Sequence, residues 1–326
     1  MLTDIYVIGS GVALATGRHA SELLLATMAD LNLLVTDTDL QVIQPGWEEV
    51  QTPVLLGYPA GHELLLDEAY TALQEKINEG FPILLLLPNK KDPQYDFIRS
   101  TFSALLVNCQ LLKAITLTDL PDDMSCLIND LKQNTFEQFT VFAVDSLVGS
   151  ALFSAWPSND PLRTQKHPNG RAAGEAWGWF TLSRVVPQQQ PAIVWQGGHW
   201  CSDPIATDNE AYEYQGLALS IEPLIQQGIL EKPDVWIYSR RQTPRDDLEA
   251  FMAFQYHWGN TGFHELEQLC PARQIGDLGV AAFPVVVALA CERLNFYFYP
   301  KKSVLASDSQ GNGTHFSFLL TGVEEN

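Results

Sequence analysis

Positive charge is what this 326-residue chain has least of: 19 Lys and Arg stand against 39 Asp and Glu, for a net charge of −20. A surface of that sign repels phosphate backbones and anionic lipid, so neither nucleic acid nor a membrane is an expected partner. Cysteine is sparse as well. Cys109, Cys126, Cys201, Cys270 and Cys291 are odd in number, and no two stand at CxxC spacing. That pattern argues against a disulfide framework or a structural zinc site and for a reducing compartment. Long apolar runs are missing too: "FPILLLLP" is too short for a bilayer, and "LGVAAFPVVVALAC" is short and broken by Pro284. Asp4 and the lack of a basic leader predict no signal peptide. With 46% hydrophobic and 18% charged residues the chain reads as globular, and a soluble, cytoplasmic protein is expected.

What is present is an alternation of strand and helix patterns. "DIYVIGSGVALATG" opens with a β-branched run and a glycine turn, and "HASELLLATMADL" follows with helical apolar spacing. "PVLLGY", "PILLLL", "KAITLT" and "QFTVFAVDS" read as strands, separated by amphipathic segments such as "LLLDEAYTALQEKINEG". "PQQQP" at 187–191 is the clearest break, after which strand and helix patterns restart. Thr243 is a fitting N-cap for the next helix, with Pro244 at its first position. Strands alternating with helices imply parallel, helix-covered sheets, here in two α/β halves assigned to 1–186 and 187–326, with no residue-level repeat visible. Within "NGRAAGEAWGWFTLSR", Gly170, Gly174 and Gly178 recur every four residues. A helix would be weakened by them, so the stretch reads as a turn feeding a buried strand whose backbone is closely packed.

Four segments, in order, resemble the β-ketoacyl synthases of the thiolase-like superfamily. "IYVIGSGVALATG" resembles the family's first strand and glycine turn. "NGRAAGEAWGWFTL" resembles its Gly-Glu-Gly-Ala-Gly stretch, with Gly174, Glu175 and Gly178 matching and Ala176 in place of a glycine. "GDLGVAAF" resembles its Gly-His-x-x-Gly-Ala-Ala-Gly helix start, and "SQGNGTHFSFLL", with Gly311 and Gly313, its closing glycine-rich loop and last strand. The resemblance covers most of the chain except the middle of the first half. It implies a five-layer αβαβα fold of two pseudo-repeated halves.

The chemistry that the resemblance would imply is not carried over. Condensation needs a thiolate at a helix N-terminus, where the dipole favours the anion. The corresponding position falls at Leu120, Pro121 and Asp122. Two histidines of the family pattern correspond to Ser239 in "SRRQTP" and to Asp277, and the family's lysine is missing beside Ala272 and Arg273. A catalytically degenerate protein is therefore expected, without cofactor or metal. It would act as a binding or assembly partner, in a homodimer, in a heterodimer with an active synthase as chain-length factors do, or as an accessory to a bacterial secretion effector. The alternative is an acyltransferase of altered mechanism acting on acyl thioesters, with Cys126 or a serine as nucleophile. "QFTVFAVDS" is placed at the expected dimer edge, and Asp122, Ser239 and Asp277 are expected to converge.

Other candidates have plainer readings. His199, Cys201 and Asp203 lie on one segment without a fourth ligand, which does not make a metal site. "GSGVALATG" lacks phosphate-loop spacing and reads as a structural turn. Arg240, Arg241 and Arg245 could hold an anion, although a solvated loop balanced by Asp246 and Asp247 is the simpler expectation. His257 and His264 are separated by a turn and read as surface or satisfied core residues. The tryptophans in strand patterns read as core.

Overall fold

The structure, a computed structural model, describes residues 4–14, 17–36, 41–43, 48–49, 51–56, 62–92, 94–148, 162–188, 192–203, 215–259, 262–309 and 313–323. Its first half contains β1 (Tyr6–Ala13), α1 (Ala20–Met28), a side ribbon of β2 (Leu34–Thr36) and β3 (Val54–Leu56), and α2 (His62–Asn78). Then come β4 (Ile83–Leu87), α3 (Tyr95–Thr101), α4 (Ser103–Asn108), β5 (Leu112–Thr116), α5 (Leu120–Lys132), β6 (Gln138–Ser146) and β7 (Glu175–Ser183). The second contains β8 (Ala192–Ser202), α6 (Gly216–Gln226), β9 (Val235–Tyr238), α7 (Pro244–Trp258), β10 (Glu267–Leu269) and α8 (Ala272–Ile275). A single 3₁₀ turn at Gly279–Ala281 leads into α9 (Ala282–Leu294), followed by β11 (Ser303–Ser309) and β12 (Thr314–Val323).

The strand order across the sheet is β10-β9-β11-β12-β8-β1-β7-β6-β4-β5. Read outward from the β8–β1 junction, the two sides are the same arrangement. In each, the first strand pairs antiparallel with the last, which pairs antiparallel with the fourth, and the other three run parallel. The junction itself is short, with Tyr6 opposite Val194 and Val7 opposite Ile193.

Side-chain alternation then sets the layers. Leu84, Leu86, Val141 and Ala143 of the first half face inward, as do Ile237, Val304, Ala306 and Phe318 of the second, and α5 and α9 pack between them. The alternate residues Leu85, Phe142 and Val144 face outward onto α2 and α3. Trp236, Leu305 and Leu319 face outward onto α6 and α7. This is the expected αβαβα order. It explains why α9 is apolar all round: it lies between two sheets, and Ala282 to Cys291 are all buried. Pro284 sits in its first turn, where no backbone bond is lost. Phe283 binds the halves together, edge-on to Phe180 at 5.3 Å and to Phe316 at 5.1 Å.

Several expectations are corrected. β1 runs straight through Gly9 and Gly11, so "IGSG" is strand rather than turn. The glycines make room for the Trp179 indole; a Cβ on Gly11 would lie 2.5 Å from its Nε1. β6 is not an edge strand, since it lies between β4 and β7 with every residue after Gln138 buried; the sheet ends at β5 and β10. A residue-level repeat does exist: "AVDS" at 143–146 and "ASDS" at 306–309 end the equivalent strands β6 and β11. Gln189 to Pro191 of the "PQQQP" break lie outside the described residues, as does Gly311. Among the described residues, no helix is long and apolar enough to cross a membrane.

Candidate functional site

At the nucleophile position α5 begins as the sequence suggests. Asp119 precedes it, its Oδ2 accepting from the Thr116 hydroxyl at 2.9 Å. Leu120 is buried in the central core, Pro121 is half-buried in the first turn, and Asp122 is exposed. Cys126 lies further along, exposed, on the side away from buried Met124 and Leu131. Among the described residues, no hydrogen bond or ion pair joins Leu120 to Asp122, or Cys126, to the positions discussed next.

Among the described residues no bond joins Ser239 to Asp277; it is Arg240, the residue after Ser239, that reaches Asp277. Ser239 follows β9 and is buried; its hydroxyl donates to Asp308 Oδ1, and its N–H donates to Ser307 O at 2.9 Å. Asp277 is also buried. Arg240 Nε stands 3.0 Å from its Oδ2, Arg171 Nε lies 3.9 Å away, and Gly279 N–H donates to its Oδ1 at 3.0 Å. Arg171 donates further to Arg240 O at 2.8 Å and to Asp246 Oδ1 at 3.0 Å. Burial alone would raise the Asp246 pKa, but Arg171 and the N–H groups of Gln242 and Thr243 outweigh it and hold the carboxyl below its ordinary value. Asp246 and Thr243 also form a reciprocal capping box that starts α7, with Pro244 in its first turn as expected.

Segment 171–174 is held against this pocket by backbone bonds, from Asp277 N to Ala172 O and from Gly174 N to Asp277 O, both 2.8 Å. That is why Gly174 is a glycine. A Cβ there would collide with Ile275 O and lie 3.1 Å from Asp277 O. A Cβ on Gly178, within β7, would lie 3.4 Å from Gly11 O and from Pro284 of α9.

A third carboxylate completes the site. Asp145, at the inward-facing end of β6, accepts from Val280 N–H and Ser146 N–H at 3.0 and 2.9 Å. Complete burial pushes its pKa up to about 8, against those two bonds, and repulsion from Asp92 and Asp277 adds to the rise. Asp145 is thus protonated at neutral pH, while two guanidinium groups face Asp246 and Asp277. Gly279, at φ +55°, leaves room for it; a Cβ would collide with Asp145 Oδ2. The repeat places Asp308 on β11 where Asp145 stands on β6. On the opposite face the repeat also places Ser146 beside Glu175 (3.0 Å) and Ser309 beside His315 (2.6 Å).

Arg171, Asp145 and Asp308 escaped the sequence reading. The "VDS"/"SDS" echo was the available signal for the two aspartates. The arginine loop is not simply solvated: Arg240 reaches Asp277, whereas Arg241 pairs with Asp247 at 2.5 Å as a local partner would. His257 is satisfied by Ala218 O at 2.8 Å. Chemically, the site offers balanced ion pairs and a neutral acid. At Ser239 and Asp277 it holds no imidazole, and at 120–122 no thiol.

No protein-family profile matches this sequence, and no curated protein matches it by sequence. Solved structures match over nearly the whole chain. One chain of AntDE:AntF, a type II PKS acyl-carrier protein in complex with its ketosynthase bound to the hexaketide, is 12% identical with a TM-score of 0.70, covering 99% of this chain and 100% of that one. The ishigamide ketosynthase/chain length factor is 12% identical with a TM-score of 0.68, covering 99% and 100%. A ketosynthase in complex with its chain length factor from Xenorhabdus doucetiae is 14% identical with a TM-score of 0.64, covering 98% of each. The fold is that of the ketosynthases and chain length factors. Identity this low carries the fold of the ketosynthase-like chain and not its activity.

Proposed function

We propose that this ketosynthase-like chain does not condense acyl groups and works as the assembly partner of an active synthase, in the manner of a chain length factor. The observation that carries the reading is the Asp277 clamp. Where a condensing site needs a group to stabilise an enolate, Arg171 and Arg240 are already committed to Asp277 and Asp246. The neighbouring hydroxyl of Ser239 is likewise committed to Asp308. Two of the structural relatives above are described as assemblies with a chain length factor, which supports a protein partner. The acidic surface offers little to an acidic carrier protein, so the partner would supply that docking patch. The free edge of β5 suits strand pairing between subunits, with Lys113 guarding it from indiscriminate association. No observation favours an accessory role for a secretion effector. For transfer by Cys126, no hydrogen bond among the described residues joins its thiol to an activating base.

The test is affinity purification from the native source with mass spectrometry and light scattering. A stoichiometric complex with a ketosynthase is expected, whose condensing activity survives Cys126→Ala in this chain. A monomer that recovers no synthase would refute the reading.

A further inference from the structure

On the outward face of the second half, away from the Asp277 clamp, three side chains from separate elements meet. His315 lies on β12 next to Phe316; because Phe316 faces the central layer, His315 faces α6 and α7. Asp203 follows β8, and Glu249 projects from α7. His315 Nε2 stands 3.3 Å from Asp203 Oδ1 and 3.5 Å from Glu249 Oε1. One ligand atom from each residue can be chosen so that all three lie within 4.8 Å of one another.

His315 is only 3% exposed, and its Nε2 makes no hydrogen bond, even though two carboxylate oxygens are this near. A ring N–H serves one acceptor along its axis, and neither oxygen is so placed. A metal ion behaves differently, since it takes the nitrogen lone pair and draws several oxygens to one point. With bonds of about 2.1 Å, tetrahedral ligands stand about 3.4 Å apart, which is the spacing found from His315 to both carboxylates.

The surroundings suit such a centre. Ser309 Oγ lies 2.6 Å from His315 Nδ1 and fixes the ring, leaving Nε2 to the cluster. The Tyr238 hydroxyl donates to Glu249 Oε2, so the other oxygen turns to the cluster. Gly216 N–H donates to Asp203 Oδ1 at 2.9 Å, and Asp203 N–H donates to Gly313 O at 2.7 Å. Supporting bonds of this kind orient metal ligands. A Cβ at Gly216 would collide with both Asp203 Oδ1 and His315 Cδ2, so only glycine admits this approach. Two carboxylates and a neutral imidazole carry the charge that a divalent cation cancels.

We propose that Asp203, Glu249 and His315 form a binding site for a divalent first-row metal ion that accepts both carboxylate and imidazole ligands, of the Zn²⁺ or Mn²⁺ type. The ion ties β8, α7 and β12 together. The sequence expected no metal because it grouped Asp203 with His199 and Cys201; the fold supplies Glu249 and His315 from 46 and 112 residues further along.

The full chain, stripped with chelator and desalted, is titrated with Zn²⁺ and with Mn²⁺ by calorimetry, with elemental analysis of what is retained. About one equivalent per chain is expected with either ion or both, together with a raised unfolding temperature. Asp203→Asn and His315→Ala should each weaken binding by about 100-fold or more, because even the loss of a group that only supports a ligand costs about 10–100-fold. Loading with Co²⁺ keeps the result decisive if a variant fails to fold: d–d bands without thiolate charge transfer are expected, and a thiolate band would place the metal on a cysteine and overturn the site. The proposal is also overturned if neither ion is retained, or if folded Asp203→Asn and His315→Ala bind as the wild type does.

Discussion

Asp145 makes folding stability fall as the solution becomes more alkaline, in the opposite sense to an ordinary salt-bridged carboxylate. Its carboxyl is fully buried and its pKa is pushed from 3.8 to about 8, mainly by loss of water. Between those values the folded chain holds a proton that the unfolded chain has released. The contribution is therefore whole below pH 4, declines as pH rises, and levels off above about 8. At 1.36 kcal/mol per unit the whole span amounts to roughly 6 kcal/mol as an upper bound. The perturbation is Asp145→Asn. An amide presents one acceptor where the carboxyl meets both Val280 N–H and Ser146 N–H, so one of these is left facing another donor at a cost of about 1–3 kcal/mol. The variant should gain on wild type steadily as the pH rises from 5 and be the more stable of the two by pH 8. Urea unfolding of both proteins at pH 5, 6, 7, 8 and 9 measures the difference directly. A wild-type-minus-variant difference that stays flat from pH 5 to 8 would refute the reasoning, since it would mean that Asp145 is ionised throughout.

Other perturbations follow from the same packing. Gly174→Ala drives a methyl into Ile275 O at the backbone seam and should cost about 1–3 kcal/mol in urea unfolding, with Gly178→Ala milder because its nearest neighbours lie at 3.4 Å. Phe283→Ala removes the ring shared by both halves and should cost about 3–5 kcal/mol without changing circular dichroism below the transition. Arg171→Ala leaves buried Asp246 and Asp277 short of a partner and should cost about 3–5 kcal/mol near pH 7. Lowering the pH should shrink that loss as Asp246, whose carboxyl Arg171 holds below its ordinary value, becomes protonated.

Much of the architecture could be read from periodicity. "ILLLL" is buried on both faces because helices cover both sides of its sheet, and the Thr243–Pro244 start of α7 is a local signal that the fold left intact. The Gly9–Gly11 stretch misled because a glycine turn and a glycine strand beneath an indole look the same in one dimension; Trp179 is 168 residues from Gly11. β6 was misplaced for a related reason. A strand that is apolar on every residue fits the middle of a covered sheet better than an edge. The site was half visible. Ser239 and Asp277 stood out against the family pattern, whereas Arg171 and Asp145 were hidden because their partners lie far along the chain and only the fold brings the charges together. The same holds for Glu249 and His315.

The central claim, that no acyl group is held or condensed here, is tested most directly by intact mass measurement of the purified chain after incubation with acyl and malonyl thioesters. The unmodified mass and no turnover are expected, because 120–122 offer no thiol and the groups at Ser239 and Asp277 are tied to Asp308, Arg171 and Arg240. Losing several members of a cooperating set costs little more than losing one, so restoring a single position should not revive the reaction either. A stoichiometric adduct that forms with turnover and disappears in Cys126→Ala would contradict the claim and establish a working transferase.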